Sequence, residues 1–297
     1  NVLVLVPTRE LAEQVKDVYL KMSHNLPYRV KTMAIYGGVS INPQMKGLQH
    51  VNVIVATPGR LLELERKNAL KLDNVSALVL DEADKMLNLG FKEEMTDIFN
   101  LLPKKRQNLL FSATLSKDVS AIKDIILDEP KVIEIKEKEV DLSLIEQSAY
   151  FVEQEKKGPL LRQLVEESDW NQVLIFTSSI YQADHVSDKL KKNGISARAI
   201  HSKKGQKNRQ DAIAKFKSGN LKVLVATDLL ARGIDIKSLS AVINYELPRS
   251  PKDFVHRIGR TGRAGEFGEA ITFVSPEDEH HFKIIQKKNK IVIPIKG

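Results

Sequence analysis

The chain has 297 residues, 42% hydrophobic and 28% charged, a size and composition that suit two ordinary globular domains, and its longest apolar runs are far too short to span a bilayer. It contains no Cys, which excludes disulfides and thiolate metal sites and fits a reducing cytoplasm. The net charge of +8 is uneven: residues 1–140 hold 20 Lys+Arg against 19 Asp+Glu, residues 141–297 hold 26 against 19, and a basic second half favours a polyanionic partner such as nucleic acid.

The chain opens on Asn1-Val2-Leu3-Val4-Leu5-Val6-Pro7, with no basic region ahead of its apolar run, which makes a poor signal peptide and reads as a chain that starts inside a strand. Apolar runs recur at 2–6, 51–56, 77–80, 109–111, 173–176, 223–226, 241–245 and 270–274, too continuous for half-exposed strands. Between them, 10–22, 92–102, 180–192 and 207–216 carry apolar residues near the 3.6-residue helical period. Buried strands alternating with helices predict an α/β fold with parallel sheets and right-handed crossovers. The pattern breaks in the charged stretch 131–144, centred on Lys136-Glu137-Lys138-Glu139, and restarts after it. This predicts a first domain over 1–136, a linker over 137–143 and a second domain over 144–297, with a solvated surface loop as the alternative to a linker. Strands end in small polar groups at Ser112-Ala113-Thr114, Thr177-Ser178-Ser179 and Ala226-Thr227-Asp228, and ligands bind at such carboxyl ends in open α/β sheets.

Two motifs carry chemistry. In Leu78-Val79-Leu80-Asp81-Glu82-Ala83-Asp84 an apolar strand delivers Asp81 where it can hold Mg²⁺ through water, with Glu82 beside it to deprotonate a water aimed at a γ-phosphate. Taken alone, acids after a strand are as well explained by a solvated turn. In His256-Arg257-Ile258-Gly259-Arg260-Thr261-Gly262-Arg263, guanidinium groups three residues apart are interleaved with Gly, an arrangement that lets them converge on phosphate oxygens; a basic surface turn is the competing account. Val225-Ala226-Thr227-Asp228 followed by Ala231-Arg232-Gly233-Ile234-Asp235 fits a nucleotide-facing loop and fits a structural turn equally well.

Together with Pro7-Thr8-Arg9-Glu10-Leu11-Ala12, Gly37-Gly38 and Thr57-Pro58-Gly59-Arg60, these motifs stand in the order that marks DEAD-box RNA helicases, and the chain resembles that family over nearly its whole length. The wording around Tyr36-Gly37-Gly38-Val39-Ser40 and His201-Ser202-Lys203-Lys204 looks most like the bacterial RhlE subgroup. The resemblance implies two tandem RecA-like domains that close together on ATP and single-stranded RNA or a short duplex, with ribosomal or RNA-decay proteins as partners, no membrane, and a cytoplasmic location. Asp81 and Glu82 would be the Mg²⁺ and water-activating acids, and Asp84, Ser112, Thr114 and His256 would couple hydrolysis to closure. Arg260 and Arg263 would reach the γ-phosphate, Gly233 and Asp235 the nucleotide, Asp235 at its ribose. Thr8, Arg9, Gly38, Thr57, Arg60, Gln206, Arg209 and Thr227 would hold RNA through phosphates and 2′-hydroxyls, which explains sequence-independent binding.

One departure matters. No stretch matches G-x-x-x-x-G-K-[ST], and the family's adenine-reading Gln segment is also absent, so the chain is expected to be a fragment whose first domain is incomplete at its N-terminus. Weak ATP binding by these residues alone follows from that expectation. A DNA helicase of the same superfamily and an ATP-independent RNA-binding remnant are the alternatives. His280-His281 reads as solvated helix surface in place of a metal site, Trp170 and the scattered Phe residues as core, and 283–290 as either an RNA-attracting tail or a solvated helix face.

Overall fold

The computed structural model describes residues 1–114, 116–135, 142–228, 239–262 and 265–296. The chain divides into two compact units, Asn1–Glu134 and Ile135–Gly297. Most of the expected linker, along with Gly233, Asp235 and Arg263, lies outside the described residues.

In the first unit the elements run β1 (Val2–Leu5), α1 (Arg9–Ser23), β2 (Thr32–Ile35), α2 (Ile41–Gly47), β3 (Val53–Ala56), α3 (Pro58–Arg66), β4 (Ala77–Leu80), α4 (Ala83–Asn88), α5 (Lys92–Leu101), β5 (Gln107–Leu110) and α6 (Lys117–Ile126). The strands form one sheet in the order β2-β3-β1-β4-β5, and every pairing is parallel. Side chains alternate between faces along β1, so Leu3 and Leu5 enter one apolar cluster with Leu61, Leu78 and Ile98, while Val4 and Val6 enter another with Ala12, Val53 and Val55. A strand buried on both faces has to be apolar throughout, which is why 2–6 stands out in the sequence.

The second unit runs β6 (Ile145–Phe151), α7 (Lys157–Glu167), β7 (Val173–Thr177), α8 (Ile180–Lys192), β8 (Ala197–Ile200), α9 (Gln206–Lys217), β9 (Val223–Thr227), β10 (Ala241–Asn244), α10 (Pro251–Ile258), β11 (Gly268–Val274), α11 (Glu279–Asn289) and β12 (Ile295–Lys296). Its sheet has the order β12-β6-β11-β10-β7-β9-β8, again with parallel pairings. Val173 and Ile175 of β7 pack with Leu161 of α7 and Val186 of α8, whereas Leu174 and Phe176 pack with Ala212 and Phe216 of α9. Helices therefore cover both faces of β7, and each fully buried Leu, Ile or Phe in these layers contributes about 1.5–3 kcal/mol of apolar burial. Among the described residues no helix is long and apolar enough to cross a membrane.

Trp170 lies in the core as expected, its indole N–H donating to Glu269 Oε1 at 2.9 Å. Most Phe residues are also core, but Phe111, Phe151 and Phe267 are exposed, contrary to expectation. His281 is no solvated surface residue either: it is half-buried, with Nε2 2.7 Å from the Pro248 carbonyl, because α11 packs along α10 and turns that face inward. Among the described residues no group of three His, Cys, Asp or Glu could hold a metal ion.

Candidate functional site

Strand order sorts the motifs in space. Leu5 of β1, Ile35 of β2 and Ala56 of β3 lie side by side in register, so the chain leaving these strands carries Thr8-Arg9, Gly37-Gly38 and Thr57 to Arg60 to one stretch of the sheet's carboxyl edge. Leu80 of β4 pairs with Leu5 on one side and Leu110 of β5 on the other, which places Asp81 to Asp84 beside Ser112 and Thr114 on the next stretch. The residues expected to touch RNA thus follow β2, β3 and β1, and those expected to serve the nucleotide follow β4 and β5.

In the first group Thr8 caps α1, its hydroxyl oxygen accepting from Leu11 N–H at 3.3 Å while its own proton stays available to a ligand. Arg9 begins α1, and its guanidinium lies over Gly38: a Cβ added at residue 38 would sit 2.2 Å from both terminal nitrogens. Gly38 also has φ +75, a left-handed conformation that costs a side-chain-bearing residue free energy. Thr57 starts α3, and its hydroxyl makes no capping bond to that helix. Arg60 is nine-tenths buried; Nη2 donates to the Val39 carbonyl at 2.9 Å, and Nε lies 2.9 Å from Glu63 Oε2 without hydrogen-bond alignment. Its Nη1 is buried with no hydrogen-bond partner among the described residues, a deficit of about 1–3 kcal/mol that an anionic oxygen would satisfy.

In the second group Asp81 follows β4 directly, its N–H bonded to Leu5 O at 3.0 Å. Burial first, then the adjacent Glu82 carboxylate, push the Asp81 carboxyl above its ordinary range, with a backbone hydrogen bond and Lys85 opposing. Two neighbouring acids, one of them partly desolvated, form a hard oxygen donor set whose repulsion a divalent cation relieves, so these residues fit Mg²⁺. Glu82 occupies the left-handed region (φ 52, ψ 48) at the start of α4 and is paired with Lys85 at 2.5 Å. Asp84 accepts from both members of the next motif: Oδ1 lies 3.1 Å from Ser112 Oγ and Oδ2 lies 3.3 Å from Thr114 Oγ1. Ser112 Oγ is also 2.7 Å from the Thr114 carbonyl, so its one proton serves two acceptors.

In the second unit Thr227 ends β9 opposite Thr177 of β7. Gln206 opens α9 with no side-chain cap ahead of it; its Oε1 accepts from Arg209 Nη2, and both residues are nearly buried. Gln206 Nε2 is buried and has no partner among the described residues. His256 and Arg260 flank Arg257, near the C-terminal end of α10 and just beyond it, both half-buried. The Thr and Gly of that run have structural roles. Thr261 is fully buried and its hydroxyl donates to the Leu239 carbonyl, while Gly262 has φ +64 and a Cβ added there would lie 2.5 Å from Ile145 Cγ1. Arg257, read with its run as a phosphate-seeking guanidinium, is instead committed to a structural network with Asp228, Asn244 and the Glu246 carbonyl. The sequence marked Arg257 and Asp228 in separate motifs and a polar Asn inside the apolar run 241–245, and gave no sign that they pair.

The DEAD/DEAH box helicase family model matches residues 1–122, and the helicase conserved C-terminal domain matches residues 156–265. ATP-dependent RNA helicase CshA of Listeria monocytogenes is 41% identical over 289 residues, covering 97% of this chain and 55% of that protein. DEAD-box ATP-dependent RNA helicase CshA of Bacillus subtilis is 38% identical over the same length, covering 58% of its own chain. The chain therefore spans just over half the length of these curated relatives. Among solved structures, Dbp5 of S. cerevisiae bound to RNA and ADP BeF3 matches with a TM-score of 0.83 and 31% identity, covering 100% of this chain and 77% of that one. These relatives carry the name CshA, which corrects the expected likeness to the RhlE subgroup. Both domains matched in sequence order, with identities of this size over nearly the whole chain, mean that the chain belongs to the DEAD-box RNA helicase family.

Proposed function

We propose that the gene product containing these residues is an ATP-dependent RNA helicase that holds RNA through its backbone and couples ATP hydrolysis to local duplex opening. The observation that carries the reading is the partition along the first sheet's carboxyl edge: phosphate-seeking groups after β2, β3 and β1, an acidic pair and its hydrogen-bonded relay after β4 and β5.

In this reading Asp81 holds Mg²⁺, which when bound neutralises charge on the phosphates. Glu82 leaves Lys85 and takes the proton of the attacking water. Asp84 joins the carboxyl ends of β4 and β5 through Ser112 and Thr114, so a shift at the acids is felt at the next strand. Arg60 Nη1, the Thr57 and Thr8 hydroxyls and Gln206 Nε2 offer donors to phosphate and ribose oxygens, none of which distinguishes one base from another. Arg260 supplies positive charge to the phosphate whose bond breaks, and His256 joins the coupling set. Dbp5 is described as bound to RNA and ADP BeF3, which supports the same pair of ligands here.

Steady-state ATPase assays of the gene product with and without RNA test the proposal. RNA should stimulate turnover, and Glu82→Gln should lower it by about 10²- to 10⁴-fold while RNA binding persists. A Glu82→Gln rate within about tenfold of the unaltered protein contradicts the assignment.

A further inference from the structure

The turn that leads into α9 is held from outside. Lys204 N–H bonds to the His201 carbonyl at 3.0 Å, closing a four-residue turn between the end of β8 and the start of α9. Asp184, on α8, grips both ends of that turn. Its Oδ2 is 3.1 Å from His201 Nε2 and its Oδ1 is 2.7 Å from Lys204 Nζ. His201 is 2% exposed and its Nδ1 is buried with no partner among the described residues, so the ring proton belongs on Nε2, where it donates to the carboxylate. Partial burial works against ionisation of Asp184, yet the hydrogen bonds from Lys204 and His201 prevail and hold its carboxyl below the ordinary range.

This arrangement stands where a helix cap would. Residue 205 is Gly, and α9 receives no side-chain capping bond, so the usual device for fixing a helix start is missing. α8 and α9 also lie on opposite faces of the sheet: Ala183 and Val186 pack with Val225, Ala212 and Phe216 with Leu224. Asp184 therefore reaches across the sheet's edge at β8 and ties the start of one helical layer to the other. The first residue it steadies beyond the turn is Gln206, whose buried amide is paired with Arg209.

We propose that Asp184, His201 and Lys204 are positioning residues that fix the turn ahead of α9 and so aim Gln206 and Arg209 at the RNA backbone. The proposal rests on the reading of Gln206 and Arg209 as RNA contacts. Neither His201 nor Asp184 touches RNA in it; both act through the helix start.

The test is a double-mutant cycle in RNA affinity, read by fluorescence anisotropy of a labelled uridine homopolymer with the whole chain, alongside thermal unfolding. Asp184→Ala should weaken binding about three- to tenfold, the scale of one or two lost hydrogen bonds, and should lower the unfolding midpoint by several degrees because it leaves the buried His201 Nε2 donor without a partner. Asp184→Asn, which keeps one acceptor oxygen, should fall between the two. Gln206→Ala should weaken binding by itself, and adding Asp184→Ala to it should cost less than Asp184→Ala costs alone, the remainder passing through Arg209. Lys204→Met, at a half-exposed position that does not threaten the fold, should act in the same direction as Asp184→Ala. If Asp184→Ala binds normally while Gln206→Ala does not, the clamp has no positioning role. If Asp184→Ala costs as much in the Gln206→Ala background as alone, its effect does not pass through Gln206, and the proposal fails. If Gln206→Ala binds RNA normally, the RNA reading of α9 is wrong and the proposal falls with it, a pattern distinct from the other two.

Discussion

Arg257 holds Asp228 through two parallel hydrogen bonds, Nε to Oδ1 at 2.6 Å and Nη2 to Oδ2 at 2.8 Å. Its remaining nitrogen donates to Asn244 Oδ1 at 3.1 Å and to the Glu246 carbonyl at 2.7 Å, and its guanidinium carbon lies 4.9 Å from the centre of the Phe176 ring. One side chain thereby fixes α10 to the carboxyl ends of β7, β9 and β10. His256 and Arg260, on either side of it in sequence, inherit their positions from this anchor.

Arg257→Ala should destabilise the protein by about 3–5 kcal/mol, because it leaves the Asp228 carboxylate partly buried and unpaired. Arg257→Lys keeps the charge but loses the planar fork, and should still cost about 2 kcal/mol. Urea unfolding of the two variants measures this; equal stability of Arg257→Lys and the unaltered protein would mean that charge alone holds the anchor.

At Gly38 the prediction separates binding from folding. Gly38→Ala places a methyl group where the Arg9 guanidinium lies, and that flexible end must move. The left-handed backbone adds a cost of about 1 kcal/mol. RNA affinity should fall about tenfold, the equivalent of about 1.4 kcal/mol, while thermal stability drops by only a few degrees. An anisotropy titration beside a melting curve reads both.

Alkaline stability should depend on Tyr245. Burial first, and then the Glu246 charge, push its hydroxyl up to about 12, against an ordinary value of 10.0. A raised folded value means that the neutral form is favoured in the native state, so this contribution is fully present below pH 10 and is lost as the pH rises toward about 12. The loss amounts to about 2–3 kcal/mol over that window. Tyr245→Phe cannot ionise, and its urea midpoint should fall less between those two pH values than that of the unaltered protein.

Gly268→Ala should be among the costlier single-methyl changes in the second unit. Its Cβ would lie 1.7 Å from Thr261 Oγ1 and 3.1 Å from the Gly262 nitrogen, so the Thr261 bond to the Leu239 carbonyl must break or β11 must shift. Overpacking of this kind costs about 1–3 kcal/mol. Thr261→Val, which removes the hydroxyl and keeps the shape, should cost about 1 kcal/mol. Denaturation curves for the pair distinguish loss of the bond from loss of space.

Of the strands inside the sheets the sequence showed all but β6, and of the edge strands it showed only β5, through the run 109–111. β1, β3, β4, β7, β9, β10 and β11 are apolar enough to read as runs because both of their faces are covered. β2 and β8 are edge strands of four residues, Thr32–Ile35 and Ala197–Ile200, half-exposed and broken by Thr or Arg, and a rule that looks for continuous apolar runs passes over them. β6 was hidden by Glu146, Gln147 and Ser148. The candidate site residues that stand in named motifs can be read from the sequence one by one. What local sequence could not supply was their neighbourhood: β1 comes first in the chain yet lies between β3 and β4, and that permutation puts the Thr8-Arg9 pair beside Thr57. Long-range partners such as Asp184 with His201, or Arg257 with Asp228, are set by strand order and leave no periodic trace.

Glu82 sits in a region of backbone space where most residues with a side chain are uncomfortable, and Asn and Asp least so. Selection for an easy chain reversal between β4 and α4 would put one of those, or Gly, at this position. A long acidic side chain there suits the role proposed for Glu82, whose carboxylate would reach further than that of Asp. Substitutions at 82 therefore carry two separable signals. Glu82→Gln retains the awkward backbone and removes only the proposed base, whereas Glu82→Asn relaxes the backbone while removing carboxylate and length together, so the asparagine protein should be the more stable of the two.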